Sequence, residues 1–478
     1  MLCTVRNKTH KENKKASTAK VAIWYTISNL LSSGVAFLTT PIFTRMMSKA
    51  EYGQVSNFLS WEGILAAVLT LNFNASIVRA KYDFDSRMDE YLSSIMLTSN
   101  IFIIIGYAVV ELNSAYFIDR FSMDIWLIRM MFLYIFFTPP LQFLQSKHRI
   151  YWKYKTVVAL SMLSSLGGTA ISILLVMFMK NRLYGRIIGI VMPAAFLNLI
   201  IWISIVYKGR KLSFDCVKYA GIISIPLIPA ALANTLLGNS DRVMITKICG
   251  DTANALYSLA YSVSMLASLL WTSMNQAWSP WLYDNINANE RNAIWKHSKL
   301  YLGVFAMLIV GVFLISPEII LVLGGRGYYD ARYVMPPVIM GCVFQFIYAM
   351  YVNLEIYAKK TVTISIGTFM AALLNIGLNT IFIPKYGYIA AAYTTMVGYL
   401  ALFVFHYLIV RFTVKELSNL YDLKFIVLMI IGMTAVGGLS LLLYANSYVR
   451  YGVIVVYSLA LIYSGFKYKD KIIMLLRR

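Results

Sequence analysis

Few residues of this 478-residue chain could do chemistry, and most are charges or amides set in long apolar runs. Arg45 follows Pro41 at the end of one run, Arg129 lies one turn inside another, and Arg79 stands near the end of a third. Glu62 falls near the middle of an apolar stretch, and Asp241 and Arg242 stand side by side where another ends. A charge inside such a run is costly in lipid and marks a functional or pairing site. Arginine presents a planar fork of donors that suits phosphate oxygens. The amides of Asn72, Asn74, Asn275, Gln276, Asn375 and Asn379 could bond ligand hydroxyls, or one another across helices.

Each candidate also has a plain structural role open to it. Arg45 could snorkel to the interface, Arg79 and Arg129 could anchor span ends, and Asp241 with Arg242 could fix a turn. Glu62 could latch an arginine or exchange a proton or sodium ion. His406 reads as a hydrogen-bonded packing residue, and Glu318 and Glu355 as interfacial. The 34 Tyr and 9 Trp read mostly as interfacial belt residues.

Catalytic patterns are absent. There is no HExxH motif. The cysteines Cys3, Cys216, Cys249 and Cys342 have no metal or redox spacing. Gly324-Gly325-Arg326-Gly327 lacks both the phosphate-loop pattern and a preceding strand, and reads as a flexible loop. No catalytic residue, metal site or cofactor is expected.

The elements that must hold these residues follow from composition. Hydrophobic residues make up 59% and charged residues 13%, with a mean hydropathy of +0.67. Soluble domains sit near 45–50% and about 25%. Apolar runs fall at 21–44, 54–77, 91–110, 125–145, 156–179, 187–206, 219–238, 253–277, 300–316, 334–354, 361–383, 387–410, 425–444 and 449–466. They must be helices, because lipid offers backbone groups no partner. The alternating ten-residue pattern of a membrane barrel is missing. The expected class is therefore an all-α polytopic membrane protein with about 14 transmembrane helices. No small-residue cleavage site follows the first run, which reads as an uncleaved span.

The net charge of +22 would suggest nucleic acid in a soluble protein. Here the positive-inside rule explains it. With both termini cytoplasmic and spans alternating, cytoplasmic segments hold 30 of the 43 Lys and Arg residues. The opposite loops are short, so they leave no room for a domain that modifies a substrate.

The chain also repeats at an offset of about 200 residues. Lys155-Thr156-Val157 before the fifth run matches Lys360-Thr361-Val362 before the eleventh, and Tyr184-Gly185 matches Tyr386-Gly387. Asn74 with Tyr82-Asp83 matches Asn275 with Tyr283-Asp284 at identical spacing. Six spans form each half, so both halves enter the membrane from the same side, as parallel repeats. The division expected is a basic N-terminus over 1–20, six-helix bundles over 21–207 and 219–410, a linker over 208–218, and two extra helices with a basic tail over 411–478.

Several segments carry a family likeness. The first run ends Pro41-Ile42-Phe43-Thr44-Arg45 and continues to Glu51-Tyr52-Gly53. The seventh reads Ile225-Pro226-Leu227-Ile228-Pro229 through Asn239-Ser240-Asp241-Arg242-Val243-Met244-Ile245, followed by Tyr257-Ser258 and Ala260-Tyr261. Later come Asn375-Ile376-Gly377-Leu378-Asn379, Ile383-Pro384-Lys385-Tyr386-Gly387 and Ala390-Ala391-Ala392. Together these resemble the polysaccharide-transport (Wzx-type) flippases of the MOP superfamily.

The resemblance implies a two-bundle, MATE-like fold shared with multidrug and toxin extruders and lipid II flippases. It implies a flippase for undecaprenyl-diphosphate-linked oligosaccharides of O-antigen, capsule or exopolysaccharide, working by alternating access in a bacterial cytoplasmic membrane. Partners would be the lipid-linked substrate, the bilayer, and a polymerase and chain-length protein of the same pathway, with no nucleic acid. By likeness to lipid II flippases, Arg45 would line a cationic central cavity; Arg79, Arg129, Asn74 and Asn275 are further candidate substrate contacts by residue type and place in the runs. Glu62, Asp241 and Arg242 would couple or brace the transport cycle. One departure stands out: Ala230 occupies the place after Pro229 where family members often carry His. A multidrug or lipid II transporter on the same fold is the alternative, with a membrane polysaccharide polymerase further off.

Overall fold

Sequences this apolar gain most by closing every backbone hydrogen bond within the segment, and helices are the result. A computed structural model describes residues 34–151 and 153–467, and every regular element among them is helical. The helices are α1 (34–46), α2 (Lys49–Leu69), α3 (Ile77–Asp83), α4 (Met88–Leu112), α5 (Ser114–Phe121) and α6 (Ile125–Ile150). Next come α7 (Tyr154–Met162), α8 (Gly168–Phe178), α9 (Arg182–Gly209), α10 (Phe214–Ser224), α11 (Ile228–Cys249) and α12 (Asp251–Asn287). The last are α13 (Arg291–Gly324), α14 (Met335–Tyr357), α15 (Thr361–Tyr386), α16 (Tyr388–Thr413), α17 (Leu423–Leu443) and α18 (Ser447–Lys467).

Among the described residues, eleven helical stretches are long and apolar enough to cross a membrane, or twelve if α2 and α3 form one bent span. Of the fourteen expected, the first begins in residues outside the described range, and the last is a shorter apolar helix, Ser447–Tyr463. Starts are set by local capping. Ser48 and Glu51 form a reciprocal capping box at α2. Asp124, Asn181 and Asp422 accept from the first free amides of α6, α9 and α17.

Three expected spans are not continuous. The second breaks after Leu69 and bends by 54°, with Leu71 and Asn72 left-handed at φ 54° and 50°. Asn tolerates that conformation and Leu does not, so the break carries strain. The fifth holds a π-helical turn over Leu163–Gly167. The seventh is interrupted by a 3-10 turn at Ile225–Leu227, where Pro226 removes a backbone donor.

Prolines inside helices free a carbonyl four residues earlier, and neighbouring helices satisfy two of these. Pro140 leaves the Phe136 carbonyl without its donor, and Asn100 Nδ2 bonds it at 2.9 Å while Trp202 Nε1 holds the Asn100 oxygen at 3.0 Å. Pro317 leaves the Phe313 carbonyl, and the Tyr444 hydroxyl donates to it at 2.7 Å.

The helices group into two compact units. One holds the described residues up to Ser258 together with Thr368–Ala391, around a core that includes Phe43, Phe58, Phe121, Leu127 and Met131. The other holds Leu259–Gly367 and the described residues from Ala392, with an aromatic stack in which Phe305 and Phe346 lie 3.9 Å apart. Large apolar side chains such as Ile104, Phe196, Leu428 and Val456 are exposed, as lipid-facing surfaces require.

Candidate functional site

The sequence-predicted residues sit in different settings. Arg45, in the last turn of α1, is exposed, and its Nη1 donates to the Pro41 carbonyl at 2.9 Å. Arg129 is exposed on α6 and ion-paired with Glu111 of α4. Arg79 is exposed on α3, close to Tyr219 of α10. Asn74 lies in the turn that joins α2 to α3, and its side-chain oxygen accepts from the Ser146 hydroxyl at 2.6 Å. Asn275, on α12 in the second unit, accepts from Asn353 Nδ2 at 2.7 Å. Glu62 is half-buried on α2 and makes no hydrogen bond or ion pair among the described residues, with Tyr134 of α6 close enough to feel its charge.

Asp241 is different. It is buried on α11, and both carboxylate oxygens are engaged: the Tyr257 hydroxyl donates at 2.5 Å and Asn379 Nδ2 at 2.6 Å. Asn379 also bonds Asn375 at 3.2 Å, which draws α11, α12 and α15 into one polar net. Its sequence neighbour Arg242 bonds Asn239 Oδ1 at 3.0 Å. A buried carboxylate needs several donors, and this one has them.

A seam of close contacts joins the start of α2 to the start of α12. Gly53 makes it possible, because a Cβ there would lie 1.9 Å from the Asp251 carbonyl oxygen. Asn254 Nδ2 donates to the Gly53 carbonyl at 2.9 Å, across 201 residues of sequence. The hydroxyls of Ser56 and Ser258, 202 residues apart, meet at 2.6 Å. Gln54 Nε2 reaches Asp251 Oδ2 at 3.0 Å. At the neighbouring helix ends, Lys247 of α11 bonds the Asp119 carboxylate of α5 at 2.6 Å. In the sequence, Glu51-Tyr52-Gly53 stands out only within the family likeness. The repeat offset of about 200 was the signal for this pairing.

Two further groups escaped the sequence reading. Arg186, one residue before the sixth run, lies on α9 with its guanidinium 3.7 Å above the Phe43 ring of α1. Glu355, expected at an interface, is fully buried: the last turn of α14 is covered by α15 and α16, and it pairs with His406 Nδ1 at 2.6 Å while the Thr363 hydroxyl bonds its other oxygen. Only pairing makes complete burial of a carboxylate tolerable.

A cavity of about 450 Å³ opens among loop residues at the far ends of α4, α6 and α9, lined by Asp85, Arg87, Asp89, Lys147, Lys153 and Lys208. Its mixed charges are partly self-neutralised by the Lys147–Asp89 pair at 2.5 Å. Burial and a hydrogen bond to Asp85 push the Tyr151 phenol on its rim up to about 12.

Comparison with known proteins adds three findings. A family described as polysaccharide biosynthesis protein matches residues 18–286. The Lsg locus putative protein 1 of Haemophilus influenzae is 21% identical over 369 residues, covering 72% of this chain and 86% of that protein. Among solved structures, the lipid II flippase MurJ in an inward closed conformation aligns with a TM-score of 0.71 at 16% identity, over 94% of this chain and 100% of that one. A multidrug resistance MATE family transporter of the MOP superfamily, in an inward-facing conformation, aligns with a TM-score of 0.56 at 15% identity, over 82% and 96%. At these identities the likeness establishes the fold, which is the MATE-like, all-helical architecture expected from the sequence.

Proposed function

This chain belongs to the polysaccharide biosynthesis protein family, and on that premise we propose that it is a flippase for undecaprenyl-diphosphate-linked oligosaccharides. It carries them from the inner to the outer leaflet of a bacterial cytoplasmic membrane, for assembly of O-antigen, capsule or exopolysaccharide. The physical problem is the head group. A diphosphate with about two negative charges, and a set of sugar hydroxyls, cannot cross hydrocarbon bare. A wet, cationic path that opens to each side in turn solves it, while the lipid tail stays in the bilayer.

The observation that carries this reading is the seam between α2 and α12. Its partners stand 201 and 202 residues apart, the same offset as the sequence repeat. Contacts between equivalent positions of two parallel repeats lie on the axis that relates them. The bonds there are small and polar, suited to forming and breaking. With both termini cytoplasmic, the seam lies at the outer ends of the helices, so it closes the path to the outside. Opening it completes one half of an alternating-access cycle between the bundles of residues 21–207 and 219–410.

Within that cycle Arg45, Arg79 and Arg129 are assigned to the phosphates, and Asn74 and Asn275 to sugar hydroxyls. Glu62, half-buried and without an ion-pair partner among the described residues, is assigned to coupling-ion exchange. Asp241 braces the helices that move. The solved structures it resembles are a lipid II flippase and a multidrug transporter, and the short outer loops favour transport over polymerisation. The 1–20 and 411–478 segments flank the transport core. A polymerase and a chain-length protein are the expected pathway partners.

The test is a deletion strain. Lipid-linked units should accumulate on the cytoplasmic leaflet and surface glycan should vanish, with both restored by the intact gene. Normal surface polysaccharide in that strain would refute the proposal.

A further inference from the structure

We propose that Arg186 is the core of an oxyanion station that holds the diphosphate of the lipid-linked substrate at the outer end of the first bundle. The inference rests on the flippase reading and adds a residue and a place to it. Three guanidiniums gather on the last turn of α1. Arg182 donates to the Met46 carbonyl, Arg45 lies in the same turn, and Arg186 stacks on Phe43 at 3.7 Å.

The three are not equivalent. Arg182 caps a helix end, where a cation is favoured by the exposed carbonyls. Arg186 does not. It lies within a membrane-spanning stretch, largely buried, and its guanidinium makes no hydrogen bond or ion pair among the described residues. Two other arginines set among the helices are tied to carboxylates: Arg129 to Glu111, and Arg450 to Glu318. Two acids at the starts of α2 and α6 are committed elsewhere. Glu51 closes the capping box with Ser48, and Asp124 caps α6 and accepts from the Tyr184 hydroxyl at 3.0 Å.

Stacking on Phe43 uses the face of the guanidinium and leaves its edge, with five N–H donors, open. A planar fork held by an aromatic and lacking a carboxylate is matched to a pair of phosphate oxygens. Phe43 is itself buried, so the platform is rigid. Lys cannot reproduce the fork, though it can supply the charge.

The experiment uses the full-length protein in phosphatidylcholine nanodiscs with undecaprenyl diphosphate as the probe, read as a dissociation constant. Inorganic pyrophosphate and phosphatidylglycerol are run as separate ligands. Wild type should bind the polyprenyl diphosphate. Arg186→Gln should weaken it at least tenfold, Arg186→Lys should be intermediate, and the unliganded melting temperature should not move. Phe43→Leu should weaken binding while keeping the charge, which tests the site even if Arg186→Gln fails to fold. Equal binding by wild type, Arg186→Gln and Phe43→Leu overturns the station and leaves the flippase reading standing. No binding by wild type counts against both. Arg186-dependent binding of phosphatidylglycerol at the same strength would make this a bulk-lipid anchor, and Arg186-dependent binding of pyrophosphate alone would make it a free-phosphate site. Either result overturns the assignment to the substrate.

Discussion

Replacing Gly53 by Ala should force the seam between α2 and α12 open. The added Cβ would lie 1.9 Å from the Asp251 carbonyl oxygen and 2.7 Å from its carbon. Both are backbone atoms and cannot swing aside. Restoring ordinary contact at about 3.4 Å requires the helices to part by about 1.5 Å. That stretches the Asn254–Gly53 bond at 2.9 Å, the Ser56–Ser258 bond at 2.6 Å and the Gln54–Asp251 bond at 3.0 Å beyond bonding range. Three such bonds contribute about 0.5–1.5 kcal/mol each. Overpacking, if the helices do not part, costs about 1–3 kcal/mol. Across the two routes the clasped state loses roughly 1–4 kcal/mol, or about 5- to 1000-fold in population.

The assay is disulfide trapping. Ser56→Cys with Ser258→Cys, in a background without Cys3, Cys216, Cys249 and Cys342, should cross-link readily, since the hydroxyls already touch. Adding Gly53→Ala should slow the initial rate at least about 5-fold by the same arithmetic. In the Gly53 background the disulfide should halt glycan export until it is reduced. An unchanged cross-linking rate in Gly53→Ala would refute the argument that this contact is too close for any side chain.

Three further outcomes are expected. Glu355→Ala leaves His406 buried without its partner and should cost about 3–5 kcal/mol in thermal unfolding, while Glu355→Leu with His406→Phe should recover much of it; no loss from the single change would show that the pair is not needed. Arg45→Ala should cut surface glycan at unchanged protein level, with partial rescue by Lys; unchanged glycan would return Arg45 to a purely interfacial role. The hydrogen bond from Lys299, and then the Phe425 amide, hold the Asp422 carboxyl below the ordinary aspartate range. Its pKa is depressed in the fold, so its contribution is full above the unfolded value, about 4, and fades as pH falls through the folded one. Unfolding followed from pH 7 to about pH 3 should therefore show less acid sensitivity in Asp422→Asn than in wild type.

Much of the fold was legible because membrane burial reads composition alone. The apolar runs at 91–110 and 425–444 became α4 and α17 with ends close to those expected. Breaks were harder. The bend after Leu69 depends on two left-handed residues, and nothing in the hydropathy of Leu71 announces it. The π turn at Leu163–Gly167 is equally silent in an apolar run.

The sequence by itself determined the class of the molecule and its family, because both depend on residue types and their order. Tertiary structure alone decided which charges find partners. Glu355 meets His406 across 51 residues, Gly53 meets Asn254 across 201, and Arg186 meets a ring of α1 rather than an acid. In a medium that cannot solvate a charge, its role depends on what stands within a few ångströms, and spacing along the chain does not specify that.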